Sequence, residues 1–301
     1  MLRIGCKLLL LLGVLCTPMV VAQSVSVTDD LGREVTLSAA AQRVVALAPH
    51  IVEQVYAVGS GERLVGAVNY SNYPEAAKTL PRVGTYKSFS SETILRLQPD
   101  LVLAWSSGNG RQRVAPIEAL GIPVYYSEAR ALEDIGHSLE KIGRLTGSAG
   151  AAAARKAFEQ RLQALRSRYA DREPISVFYQ VWNQPLQTLN GKHLISDVMK
   201  LCGGRNVFAD AHSLAPKVSV EAVLRLNPQV ILASGMGEER PEWLDEWRRW
   251  PALQAVAQEQ LKFIPPDILQ RHTPRVLDGA TMMCEHLQQS RRHYAQGRQA
   301  H

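Results

Sequence analysis

Asp267 and Arg271 stand four residues apart near the carboxy end of the chain, and such a pair can grip a polar group of a bound molecule. It can also be a local ion pair, worth little if it lies in water. A second set of candidates is aromatic. Only 6% of the residues are aromatic, yet Tyr70, Tyr73, Tyr86, Trp105 and Trp182 all fall in segments that follow short apolar runs or precede a helix. Flat rings in such places suit a large, partly apolar ligand, with the polar tips of Tyr and Trp reaching its amides or hydroxyls; each ring can equally pack on its own scaffold. Pro49-His50 follows the first apolar run, and of the histidines His50 is the one placed to meet a ligand. Covalent and metal chemistry find little support. The sequence has no G-x-S-x-G elbow, no H-E-x-x-H and no phosphate-binding glycine loop. His50, His137, His193, His212, His272 and His286 are scattered, none three or four residues from a second histidine. We expect no catalytic residues and no metal site.

The elements that must carry these residues alternate. Residues 25–37 read as a hairpin around Asp30-Leu31-Gly32. Short apolar runs at 44–48, 64–68, 101–105 and 124–126 read as buried parallel strands, with helices at 51–58, 91–97, up to 120, and 132–145 between and after them. A long Ala-rich helix at 149–169, free of Pro and Gly after Gly150, reads as a stiff span. The alternation then resumes, with strands at 177–181, 230–233 and 261–264 and helices at 194–201, 243–256 and 275–288. The pattern predicts an α/β fold of two parallel-sheet lobes joined by a long rigid helix, with a ligand cleft between the lobes at the carboxyl ends of the strands. The boundaries are 1–22 for a signal peptide, 23–146 for the first lobe, 147–172 for the connecting helix, 173–292 for the second lobe and 293–301 for a tail.

An internal echo supports two lobes. Ser90-Ser91-Glu92-Thr93-Ile94-Leu95-Arg96-Leu97-Gln98-Pro99-Asp100-Leu101-Val102-Leu103-Ala104 returns as Ser219-Val220-Glu221-Ala222-Val223-Leu224-Arg225-Leu226-Asn227-Pro228-Gln229-Val230-Ile231-Leu232-Ala233. Each copy gives a Ser cap, a short helix, a proline stop and a buried strand. The separation is too large for a solenoid period.

Export is predicted by the amino terminus. Arg3 and Lys7 precede an apolar core at 8–14, and Val20-Val21-Ala22 offers small residues for cleavage before Gln23. Leu15 before Cys16 is a poor lipid-attachment context. Removing Arg3 and Lys7 lowers the formal charge of +6 by two, and the basic residues from Arg291 to Arg298 read as a solvated tail and not as a nucleic-acid patch. Cys202 and Cys284 remain in the exported chain and have one possible pairing, a disulfide, the alternative being two buried thiols.

These segments resemble periplasmic binding proteins of the iron-siderophore and cobalamin importer class over nearly the whole exported chain. Residues 27–33 with Arg43-Val44-Val45, and the run from Leu97 to Leu103, are similar to signatures of the class. Tyr70-Ser71-Asn72-Tyr73-Pro74, Ala104 to Asn109, Cys202 to Phe208 with Cys284, and Asp267 with Arg271 to Arg275 are similar to its cobalamin-binding members. The resemblance implies a monomer in the periplasm, without a cofactor, that carries cobalamin or a related corrinoid to an ABC importer permease at the inner membrane. It implies ligand contacts from Pro49, Tyr70, Tyr86, Trp105, Asp267 and Arg271, and salt bridges from Glu92 and Glu221 to arginines of the permease. It also matches the disulfide pair Cys202 and Cys284. The chain departs from that pattern around Ala215 and at Tyr86, where tryptophan is expected, and at Ile268-Leu269, where an aromatic pair is expected; Trp182 is the candidate to compensate. Heme or a ferric siderophore is the alternative ligand, and an enzyme on a similar two-lobe scaffold the alternative of another class.

Overall fold

The computed structural model describes residues 24–169, 171–235 and 239–299. The predicted signal peptide, Cys16 and the last two residues of the tail lie outside them. The first lobe opens with β1 (Val25–Thr28) and β2 (Glu34–Leu37), an antiparallel hairpin. Its turn is held by buried Asp29, whose carboxylate accepts from the backbone N–H groups of Leu31 and Arg33 and pairs with the Arg33 side chain at 2.9 Å. Then follow β3 (Val44–Ala46), α1 (Pro49–Ala57), β4 (Leu64–Ala67), α2 (Ser91–Arg96), β5 (Leu101–Trp105), α3 (Ser106–Asn109), α4 (Arg111–Ala119), β6 (Val124–Ser127) and α5 (Leu132–Thr146). The four strands after the hairpin form one parallel sheet in the order β4-β3-β5-β6. Their near-continuous apolar runs are what a sheet covered on both faces requires.

The second lobe repeats the plan. It comprises β7 (Ile175–Gln180), a small hairpin of β8 (Trp182–Asn183) and β9 (Leu186–Gln187), α7 (Leu194–Leu201), β10 (Gly204–Asn206), α8 (Val220–Leu226), β11 (Val230–Ala233), α9 (Gln254–Ala257), β12 (Leu261–Phe263), α10 (Pro266–Leu269) and α11 (Val276–Gln299), with α6 (Ala151–Tyr169) preceding β7. Its parallel sheet runs β10-β7-β11-β12. The two-lobe parallel α/β class read from the alternation is the observed one.

Both halves of the echo are built alike. Ser90 accepts from the Thr93 N–H and Ser219 from the Ala222 N–H, each capping its helix. The residue before each following strand also ties that strand to its neighbour: Asp100 accepts from the N–H groups of Gln42 and Arg43, and Gln229 accepts from the Ser176 N–H.

Helix α6 runs beside both lobes. Its Phe158, Leu162 and Leu165 are buried on one side. Gly143 of α5 lets the two helices touch, because a Cβ there would lie 2.1 Å from the Ala151 Cβ. Ion pairs from Arg155 to Glu140 and from Arg166 to Glu133 tie α6 to α5, and one from Arg161 to Asp278 ties it to α11. One hydrophobic cluster accordingly continues from Val44 and Leu103 through Leu139 and Leu162 to Val177, Leu232 and Leu277.

Two expectations need correction. The helix placed at 243–256 is a 3-10 segment, Glu242–Arg249, followed by the separate short α9, because Pro251 removes a backbone donor between them. The closing helix does not stop at 288, although Arg292, His293, Gln296 and Gly297 on its last turns are exposed. It continues to Gln299, held by Ser290 donating to Gln260 at 2.7 Å, by buried Arg291 donating to the Glu173 and Cys202 carbonyls, and by Tyr294 donating to the Gln229 carbonyl at 2.8 Å. Cys202 and Cys284 form a disulfide across 82 residues of chain. A loop of that length is worth roughly 4–5 kcal/mol in the chain-entropy account. Among the described residues no helix is long and apolar enough to cross a membrane.

Candidate binding site between the lobes

The site is assembled from the carboxyl ends of the strands. After β3 the chain turns directly into α1, with Pro49 at its first position, where the fixed φ of proline suits a helix start and no donor is lost. His50, Glu53 and Gln54 follow one turn apart, and all three are buried. After β5 comes Trp105, whose backbone N–H donates to the Asn109 side chain. The Asn109 amide in turn donates to the Leu47 carbonyl at 2.8 Å and to the Tyr86 carbonyl at 2.7 Å, fixing three loops to one another. Gly108 is obligatory beneath the indole, since a Cβ there would come within 1.9 Å of it.

These connections bring the rings together. Tyr86 and Trp105 lie 5.7 Å apart between centroids, and Trp105 meets His50 edge-on at 5.2 Å. The cluster crosses to the second lobe, where His272 lies 5.1 Å from His50 and 6.0 Å from Trp105, with His193 a further 6.2 Å on. His193 also caps α7, its Nδ1 accepting from the Ile195 N–H at 3.1 Å. Burial holds all three imidazoles neutral. The pKa of His50 falls well below the usual range through burial and then the neighbouring His272 and Arg271. That of His193 falls to about 3 through burial, with His272 and Arg130 adding to it. That of His272 falls to about 4 through burial, against the pull of Asp134.

Beside the rings lies a charged crossing. Arg271 pairs with Glu53 of α1 at 2.6 Å and with Asp267 at 2.8 Å. It also donates to the Asn72 side chain at 2.7 Å and to the Tyr70 carbonyl at 3.2 Å. Asn72 donates back to Asp267 at 3.2 Å, and Arg275 reaches Glu53 at 3.3 Å while its guanidinium lies 4.0 Å above the Tyr73 ring. Burial pushes the Glu53 carboxyl up, and Arg271 and Arg275 pull against that shift. Asp267 and Arg271 therefore form a junction between lobes as well as a local pair.

The structure thus gathers Pro49, Tyr86, Trp105, Asp267 and Arg271 along one inter-lobe seam, and brings Tyr70 to its edge, where the side chain is 77% exposed. Trp182 lies on the β8–β9 hairpin, its indole N–H donating to the Gln184 carbonyl at 2.9 Å, and the ring contacts of Tyr86 and Trp105 do not include it. Glu92 and Glu221 are not in the seam. Each is the second residue of a short capped helix, α2 or α8, and exposed. The residues that sequence reasoning passed over are Glu53, Gln54, Asn72, His193 and His272. One signal pointed to the first two: polar residues at 50, 53 and 54 share a helical face that an amphipathic reading assigns to the core. Among the described residues, no group of three or more His, Cys, Asp and Glu side chains is placed to hold a metal ion.

Residues 44–268 match the family described as periplasmic binding protein. The vitamin B12-binding protein of Vibrio cholerae serotype O1 is 40% identical over 250 residues, covering 82% of this chain and 89% of that protein. The protein of the same name from Yersinia pestis is 37% identical, covering 82% and 87%. Among solved structures, the periplasmic vitamin B12 binding protein of Vibrio cholerae superposes with a TM-score of 0.77 at 38% identity, covering 83% of this chain and 98% of that one. The periplasmic heme-binding protein RhuT from Roseiflexus shares the fold, at a TM-score of 0.72 and 23% identity. By sequence and by fold, the chain belongs to the periplasmic binding protein family.

Proposed function

We propose that this protein captures cobalamin or a close corrinoid in the periplasm and presents it to an ABC importer permease, without catalysing a reaction. The observation that carries this is the seam itself. Tyr86 and Trp105 offer adjoining aromatic faces beside Asp267 and Arg271, and these residues come from both lobes, so that one large ligand with flat faces and a polar rim can touch them together. The names of the vitamin B12-binding relatives support the ligand class. Pro49, Tyr70, Tyr86, Trp105, Asp267 and Arg271 are the ligand contacts in this scheme, and Trp182 covers the ligand from its own hairpin. Residues 23–146 and 173–292 are the two lobes, 147–172 the helix that limits their relative motion, and 1–22 the signal removed on export. Glu92 and Glu221, one exposed carboxylate per lobe, are the docking points for cations on the permease.

Calorimetric titration of the purified exported chain with cyanocobalamin, with heme and a ferric siderophore as comparators, tests the scheme. One-to-one binding of cyanocobalamin, tighter than either comparator, is the expected result. Heat from heme or the siderophore and none from cyanocobalamin would replace the ligand while leaving the transport role in place.

A further inference from the structure

Folded proteins rarely leave buried polar atoms unpaired, so those that are unpaired call for a reason. Among the described residues the buried side-chain atoms without a partner include His50 Nε2, Gln54 Oε1, Trp105 Nε1 and His272 Nδ1. These four are not scattered. The rings of His50, Trp105 and His272 touch one another, and Gln54 donates from its amide nitrogen to the His272 carbonyl at 2.6 Å. His50 and His272 are each 95% buried, one on each lobe, and both lie against the indole proposed to stack on the ligand. The third imidazole differs in kind: His193 caps α7 through Nδ1, a structural duty.

We propose that His50, His272 and Trp105 are ligand-contact residues whose unpaired nitrogens take neutral carboxamide groups on the rim of the bound molecule. This deepens the corrinoid assignment and rests on it. The chemistry of the set points to amides. An indole N–H only donates, whereas a neutral imidazole offers one donor and one acceptor. A primary carboxamide answers both, and corrinoids carry several. A carboxylate, such as a heme propionate, accepts only. It would also draw a proton onto an imidazole that stands beside Arg271 for His50, and near His193 and Asp134 for His272. No hydrogen bond joins the His50 and His272 rings to each other; the lobes are held here by the Gln54 amide on the His272 carbonyl and by Arg271 on Glu53.

The role separates binding from stability. A histidine kept for structure lowers stability when replaced, whereas removing an unpaired buried polar atom while keeping the ring does not. The experiment is titration of the full exported chain with cyanocobalamin for wild type, His50→Phe, His272→Phe and His272→Gln, with thermal unfolding of each ligand-free protein. We expect about tenfold weaker binding for each Phe variant, no lower Tm, and most of the affinity retained by His272→Gln, which keeps a donor and an acceptor. Wild-type binding enthalpy should be the same in two buffers of different ionisation heat, because no proton is taken up. Phe variants that bind as wild type does, a lowered Tm with unchanged affinity, or proton uptake on binding would each overturn the role while leaving the corrinoid assignment standing. Failure of the wild type to bind cyanocobalamin would overturn both.

Discussion

At the scale of single residues, the seam divides into rings that offer surface and charges that hold position. Tyr86 and Trp105 are the anchors. Replacing either with alanine should weaken cyanocobalamin binding by more than about 1 kcal/mol, several-fold in Kd by titration; unchanged affinity would remove that residue from the site. Arg271 should behave differently, because it answers a carboxylate buried on the opposite lobe. Arg271→Ala leaves Glu53 with Arg275 and the Thr273 side chain, and breaking such a pair costs roughly 3 kcal/mol, read as a lower urea midpoint of the ligand-free protein. Arg271→Ala combined with Glu53→Gln should recover part of that loss, and equal midpoints for wild type and Arg271→Ala would mean the crossing contributes nothing in solution. Trp105 and Arg271 were legible in the sequence because each follows a run whose strand character is plain. His193 and His272 were not. Each is a lone histidine 79 or more positions from the next member of its cluster, and only the packing of one lobe on the other brings them together.

At the scale of elements, patterns that repeat or persist were legible and brief ones were not. The echo was readable because a Ser cap, an apolar turn and a proline stop are local grammar, and each copy folds by local rules. The β8–β9 hairpin and β10 escaped because two or three residues carry no period. The echo also has a functional prediction. Glu92 and Glu221 occupy the first turns of α2 and α8, where a helix favours a negative charge, and both are exposed. Glu221 is held below the usual carboxylate range by hydrogen bonds from its own backbone N–H and the Ser219 side chain. Reversing both to lysine should leave cyanocobalamin affinity within twofold and abolish uptake by cells that depend on this protein. The cost to folding should be small, because both carboxylates stand in water. Normal uptake by the double variant would reject the docking role.

At the scale of the whole molecule, the lobes meet over groups whose charge state is set by burial, so the junction must respond to acid. His50, His193 and His272 all have pKa values lowered by burial, with His193 at about 3 and His272 at about 4. An unfolded histidine takes up its proton near pH 6.5, before these folded ones do. Stability from these groups is therefore complete above pH 6.5 and is lost as pH falls toward 4, because the unfolded chain then binds more protons. For His272 alone the loss between pH 7 and pH 5 amounts to about 2 kcal/mol. Glu53 acts in the opposite sense: its raised pKa means that its own protonation on acidification favours the folded state, which blunts the loss nearer pH 4.5. Urea unfolding of the ligand-free protein at pH 7, 6 and 5 should show the midpoint falling with each step, and His272→Phe should show a shallower fall over the same range. Parallel pH profiles for the two proteins would mean that His272 is protonated as readily in the folded chain as in the unfolded one. The seam would then be open to water, and the lobes would not be packed on one another at the histidines.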